Sequence, residues 1–119
     1  MKIAAAAALA ALVVSASALA AGPTIHVTPG SVKAGQRVHL SGSAGGCHAG
    51  DSVALLSRAF SHQHEFAGVP AVFARVRSGG YYAISALIPR TRKPAHYSIS
   101  GRCGGGNLGV TAHLHVLSP

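Results

Sequence analysis

From residue 24 onward, apolar and polar side chains alternate with a period of two, and no stretch carries a 3.6-residue apolar stripe. The pattern predicts strands and almost no helix. Seven strands are expected, over residues 24–28, 37–43, 52–57, 71–77, 81–88, 95–103 and 108–117. Turn formers separate them: Pro29-Gly30, Lys33-Ala34-Gly35, Gly45-Gly46, Ser78-Gly79-Gly80, Pro89 with Pro94, and Gly104-Gly105-Gly106-Asn107. Short strands at this spacing predict a sandwich of two sheets.

The same alternation assigns faces, because successive side chains of a strand point to opposite sides of the sheet. Ile25, Val27, Val38, Leu40, Val53, Leu55, Val72, Ala74, Val76, Tyr82, Ile84, Ala86 and Ile88 take the inward parity. Tyr97, Ile99, Gly101 and Cys103 share one face of the sixth strand, and Val110, Ala112, Leu114 and Val116 close the last. Arg75, Arg77, Arg102, His26, His39, His113 and His115 face outward. Phe73 is also outward, between Val72 and Ala74, and the long loop before it is expected to cover it. If the seven strands run up and down between the sheets, loops 45–50, 77–80 and 104–108 gather at one end. Loops 29–36, 58–69 and 89–94 gather at the other.

The N-terminus reads differently. Lys2 precedes an unbroken apolar run over residues 3–14, then small residues to Ala21, with Ala18-Leu19-Ala20 as an A-x-A cleavage site. This is the pattern of an export signal cleaved near Ala20, which leaves residues 21–119 as one secreted domain. A retained anchor over residues 3–21 is the competing reading, but alanine is weakly apolar and no basic stop-transfer cluster follows. No stable membrane span is expected after cleavage. In an oxidising compartment the two cysteines, Cys47 and Cys103, are expected to form one disulfide. Both fall at the glycine-rich end, in an assignment of ends that did not use them.

Ten Lys and Arg stand against Asp51 and Glu65, for a formal net charge of +8. Such a chain attracts polyanions without specificity. Specific nucleic-acid binding is not expected, since export removes the usual targets and stacking aromatics are scarce.

The frame from Ile25-His26-Val27-Thr28-Pro29, through Ala34-Gly35-Gln36-Arg37-Val38 and Ser41-Gly42-Ser43, to Gly50-Asp51-Ser52-Val53 resembles secreted bacterial immunoglobulin-like (Ig-like) domains of the type found in high-GC bacteria. Ile88-Pro89 and Pro94-Ala95-His96-Tyr97-Ser98-Ile99 continue the likeness up to Cys103. The resemblance implies an all-β, seven-stranded antiparallel Ig-like β-sandwich with one disulfide, and says little about activity. The chain departs from antibody-type domains: it has no Trp, and Tyr97 precedes Cys103 by six positions, not two. The opening Pro23, Thr24, Val27, Thr28 and Pro29 is also similar to that of the apoproteins that carry enediyne antibiotics. That family implies a small-ligand carrier, but it uses four cysteines in two short loops.

Eight histidines are the compositional oddity. His62, His64 and Glu65 lie in the long loop, and His96 begins a strand at the same end, an inventory suited to zinc or copper. Arg90, Arg92 and Lys93 oppose a cation there and offer a contact for an anionic partner. His113 and His115 lie two apart on one strand face, with His26 able to join them if the first strand pairs with the last. The bland reading of all these histidines is solvated polar positions. No resident cofactor is expected.

Catalysis is not expected either. One Asp and one Glu at opposite ends exclude a paired-carboxylate mechanism. No Gly-x-Ser-x-Gly elbow is present, and residues 104–107 lack the Gly-Lys-Ser/Thr ending of a phosphate loop. The expectation is a secreted, monomeric, non-enzymatic binding or structural module at or outside the cell surface. Its partner is an unidentified protein or an anionic cell-surface polymer, met first by residues 61–70 and 90–93. A small-ligand carrier would instead show a wide apolar cleft between the sheets.

Overall fold

The computed structural model describes residues 22–104 and 106–119; the expected export signal lies outside them. Every regular element described is a strand: β1 (His26–Thr28), β2 (Ser31–Lys33), β3 (Arg37–Ser43), β4 (Ser52–Leu56), β5 (Glu65–Phe66), β6 (Val69–Arg75), β7 (Tyr81–Leu87), β8 (Ala95–Cys103) and β9 (Gly106–Leu117). A three-stranded sheet has the order β1-β3-β7, and a six-stranded sheet the order β2-β9-β8-β4-β6-β5.

Nine strands replace the expected seven, and the pairing is not wholly antiparallel. The chain does not stop at Pro29-Gly30. It crosses from the small sheet to the large one there, and β2 docks in parallel against the end of β9. The second addition, β5, turns back onto β6 through Ala67 (φ 54°) and Gly68 (φ 84°). Two successive left-handed residues are what a tight two-residue hairpin requires.

The inward positions read from the sequence meet in one core between the sheets. Val38, Leu40, Tyr82 and Ala86 of the small sheet face Val53, Leu55, Ala74, Ile99, Leu114 and Val116 of the large one. Ala59 and Phe60, from the loop after β4, are completely buried in the same core. A second, smaller cluster lies on the outer face of the large sheet. Here the β5–β6 hairpin folds over β4, so that Phe66 and Val69 cover Ala54, Leu56 and Ala71.

Cys47 and Cys103 are disulfide-bonded across a sequence separation of 56. The bridge ties the loop between β3 and β4 to the end of β8. Backbone hydrogen bonds hold the same loop to the end of β6: Gly50 donates to Val76 (2.8 Å) and Val76 to Asp51 (2.8 Å).

A close approach fixes the chain's entry into the small sheet. Thr24 pairs with Ser43 through its backbone N–H (3.0 Å) and accepts the Ser43 N–H on its hydroxyl (2.9 Å). The Thr24 carbonyl lies against the bare α-carbon of Gly42, where a Cβ would collide with it. That carbonyl also accepts the Tyr82 hydroxyl at 2.7 Å. Tyr82 is buried, and burial pushes its phenol up to about 12 from an ordinary 10.0.

The sign of the consequence follows from the neutral phenol being favoured in the fold. Its contribution is fully present below pH 10, the unfolded value, and is lost as pH rises towards 12. Two units correspond to roughly 2–3 kcal/mol. Urea unfolding across that range should show an alkaline loss of stability. Tyr82→Phe should flatten it while lowering neutral-pH stability by about 1 kcal/mol for the lost hydrogen bond. An unchanged alkaline slope in Tyr82→Phe would assign the loss to other groups.

Candidate functional site

The two sheets do not close along one side. β7 pairs only with β3, so its other edge is free, and β5 covers only the first two residues of β6. The Ala71 N–H still donates to the His64 carbonyl (2.9 Å), and from Val72 onward β6 has no strand partner on the side of β7. The two strands are joined at one end by the turn at 77–81, closed by the Arg77–Tyr81 bridge. A cleft of about 420 Å³ opens between them.

Its lining mixes both parities: Val72 of β6 and Ile84 and Ala86 of β7 are core-side residues, and Ala71, Phe73 and Leu87 belong to the outward faces beside the two strand edges. Phe73 and Leu87 remain 42% and 39% exposed, against the completely buried Leu40 and Leu55. The expected cover over Phe73 is thus partial: the loop supplies His64, whose ring meets Phe73 edge-on with centroids 6.4 Å apart. Ser61, Gln63 and Ser85 add hydroxyl and amide groups at the mouth. Arg37 enters from β3, where it stands opposite Leu87. Among the described residues the one ion pair is His62 with Glu65. The other acid, Asp51, lies beside the disulfide. Arg37 therefore lines the cleft without an ion pair to a carboxylate among the described residues. An apolar, partly aromatic slot with one cation and a few hydroxyl and amide groups suits a small amphipathic molecule.

The histidines read from the sequence are distributed differently from the expected sets. His62 Nδ1 lies 2.9 Å from Glu65 Oε2 on the surface. His64 is turned to Phe73 and lines the cleft. His96 is held on the outer face of the large sheet, stacked on His115 with ring centroids 4.0 Å apart. His62, His64, Glu65 and His96 consequently do not form one group, because the hairpin carries the loop histidines away from the β8–β9 ladder. His26 does not join His113 and His115, since β1 pairs with β3 and it is β2 that meets β9. The one group of three potential metal ligands drawn within 4.8 Å of one another among the described residues is Cys47, Asp51 and Cys103, whose sulfurs are bonded to each other.

The basic turn is partly structural. Arg92 donates from Nε to the Ala59 carbonyl (3.3 Å) and from Nη2 to the Phe60 carbonyl (2.8 Å), closing the end of the sandwich over the buried loop. Arg90 packs along Gly35, and the Lys93 carbonyl accepts the Tyr97 hydroxyl at 2.7 Å. Arg92 and Lys93 share a shallow basic recess of about 330 Å³ with Arg58 and His62. Arg58 was not among the candidate contact residues, although the expected gathering of loops 58–69 and 89–94 at one end places it beside this turn.

No family model matches the chain, and no curated protein matches its sequence. Among solved structures, macromomycin is similar over 82% of this chain and 100% of its own, at 15% identity and a TM-score of 0.49. The Pseudomonas fluorescens alkylpurine DNA glycosylase AlkC, bound to DNA containing an abasic site analog, is similar over 80% of this chain, at 19% identity and a TM-score of 0.48. The matched region spans 29% of the glycosylase chain. Neither likeness carries an activity to this chain.

Proposed function

We propose that this chain is a secreted, non-enzymatic binding module of Ig-like type that holds a small amphipathic molecule in the cleft between β6 and β7. The observation that carries the reading is the cleft itself. It lies between two unpaired strand edges, and side chains from both sheets line it. Its volume falls in the range of small-molecule sites. The ligand's apolar body lies against Val72, Phe73 and Ile84, and an acidic or hydrogen-bonding group meets Arg37. A carrier role is favoured over contact with an anionic polymer, because Arg92, the centre of the basic turn, is occupied with the Ala59 and Phe60 carbonyls.

Anilinonaphthalene sulfonate, a fluorescent apolar anion, is a suitable probe. It should give saturable fluorescence enhancement with the folded protein. Phe73→Asp and the slot-filling Ser85→Trp should each weaken it by at least about tenfold, equivalent to 1.4 kcal/mol, and Arg37→Ala by a smaller factor. Enhancement that does not saturate, or that ignores all three substitutions, would refute the cleft as a binding site.

A further inference from the structure

We propose that His96, His113 and His115 form a surface site for a late first-row divalent metal ion, with Cu²⁺ the most tightly held. The register places them. His96 stands directly opposite His115, and His113 stands opposite Ser98, two residues back along β9 on the same outer face. The His115 N–H donates to the Gly30 carbonyl at 2.9 Å, on the side away from β8. The His96–His115 pair is therefore a non-hydrogen-bonded pair of the β8–β9 ladder, the kind in which opposing side chains come closest. The two rings lie nearly parallel, at 16°, with centroids 4.0 Å apart.

Three imidazoles thus project from adjacent positions of one rigid ladder: two from one strand at a spacing of two, and one from the neighbour. His96 and His113 are exposed and His115 is half-buried; their ring nitrogens do not all lie within 4.8 Å of one another in the structure, so the proposed site requires side-chain rotation about the fixed backbone register. The surroundings select the metal. Ser31 flanks His115 on β2, Ser98 faces His113, and Arg58 shares a shallow recess with His96. Glu65, one of the two acids in the chain, is engaged with His62. A neutral, all-nitrogen set without a carboxylate does not suit Ca²⁺ or Mg²⁺, which take oxygen ligands. Imidazole suits copper, zinc and nickel, and among divalent ions copper binds most strongly.

The site is separate from the β6–β7 cleft and does not depend on a ligand there. Titration of Cu²⁺ into the untagged protein, followed by electron paramagnetic resonance, should show one equivalent bound with nitrogen hyperfine structure from imidazole. His96→Gln and His115→Gln should each weaken binding by at least about tenfold, and His113→Gln severalfold. His62→Gln, His64→Gln and His26→Gln should leave it unchanged. Circular dichroism of each variant separates a lost ligand from a lost fold. Zn²⁺ titration followed by the His96 and His115 ring proton resonances gives a second readout on the unsubstituted protein. Copper held equally well by the His96 and His115 variants, or zinc that leaves those resonances unmoved, would overturn the proposal.

Discussion

Replacing Cys47 and Cys103 together by alanine is expected to lower stability by about 4 kcal/mol, the chain-entropy value for a loop of this length. The bridge spans a sequence separation of 56, nearly half of the chain, and therefore removes many conformations from the unfolded state. In a domain this small, 1 kcal/mol moves the melting temperature by about 4–8 °C, so a fall of roughly 15–30 °C should follow. The native loop itself should persist at low temperature, because Gly50, Asp51 and Val76 hold it by backbone hydrogen bonds. The denaturant dependence should steepen as well, since the unbridged unfolded chain exposes more surface. A fall below about 1 kcal/mol would mean that strain in the bridged native state offsets the entropic gain.

Phe60→Ala should have a comparable effect, about 3–5 kcal/mol. Phe60 is completely buried although it belongs to no strand. Its N–H donates to Ser57 at 3.1 Å, and its carbonyl accepts Arg92 from the turn between β7 and β8. The side chain packs in the core between the sheets, so its truncation leaves a cavity there. Phe60→Leu removes less volume and should cost roughly 1–2 kcal/mol. Chemical denaturation of both variants checks the order. Equal, small losses would show that the loop packs on the core without supporting it.

Where periodicity decides structure, the sequence was a sufficient guide. Strands 37–43 and 95–103 coincide with β3 and β8, since both have clean alternation and turn residues on either side. The inward parity of Leu40, Leu55, Ile99 and Leu114 follows from the same rule, and all four are completely buried. β2 and β5 escaped because three or two residues carry no period. They are strands only through partners distant in sequence or across a turn: the end of β9 for Ser31–Lys33, and β6 for Glu65–Phe66. The burial of Ala54 and Leu56 on the outer face of β4 is hidden for the same reason, as it depends on the β5–β6 hairpin folding over them.

The candidate sites were legible only in part. Phe73 was visible as an aromatic residue on an outward position, but the cleft beside it depends on which strand edges are left unpaired. Alternation does not encode that. Arg37 read as an ordinary polar start to a strand until its partner Leu87 placed it at the slot. Parity puts His113 and His115 on one face of β9; that His96 stands opposite His115, and Ser98 opposite His113, depends on the register between β8 and β9, which the sequence pattern leaves open.

The claim that the β6–β7 cleft is a binding site is tested most directly by mapping a bound probe onto nitrogen-labelled protein by amide chemical shifts. Addition of anilinonaphthalene sulfonate should produce saturable shifts concentrated at Arg37, Val72, Phe73, Ile84 and Leu87, with the β8–β9 ladder unmoved. Shifts centred instead on Arg58 and Lys93, or shifts that never saturate, would contradict it.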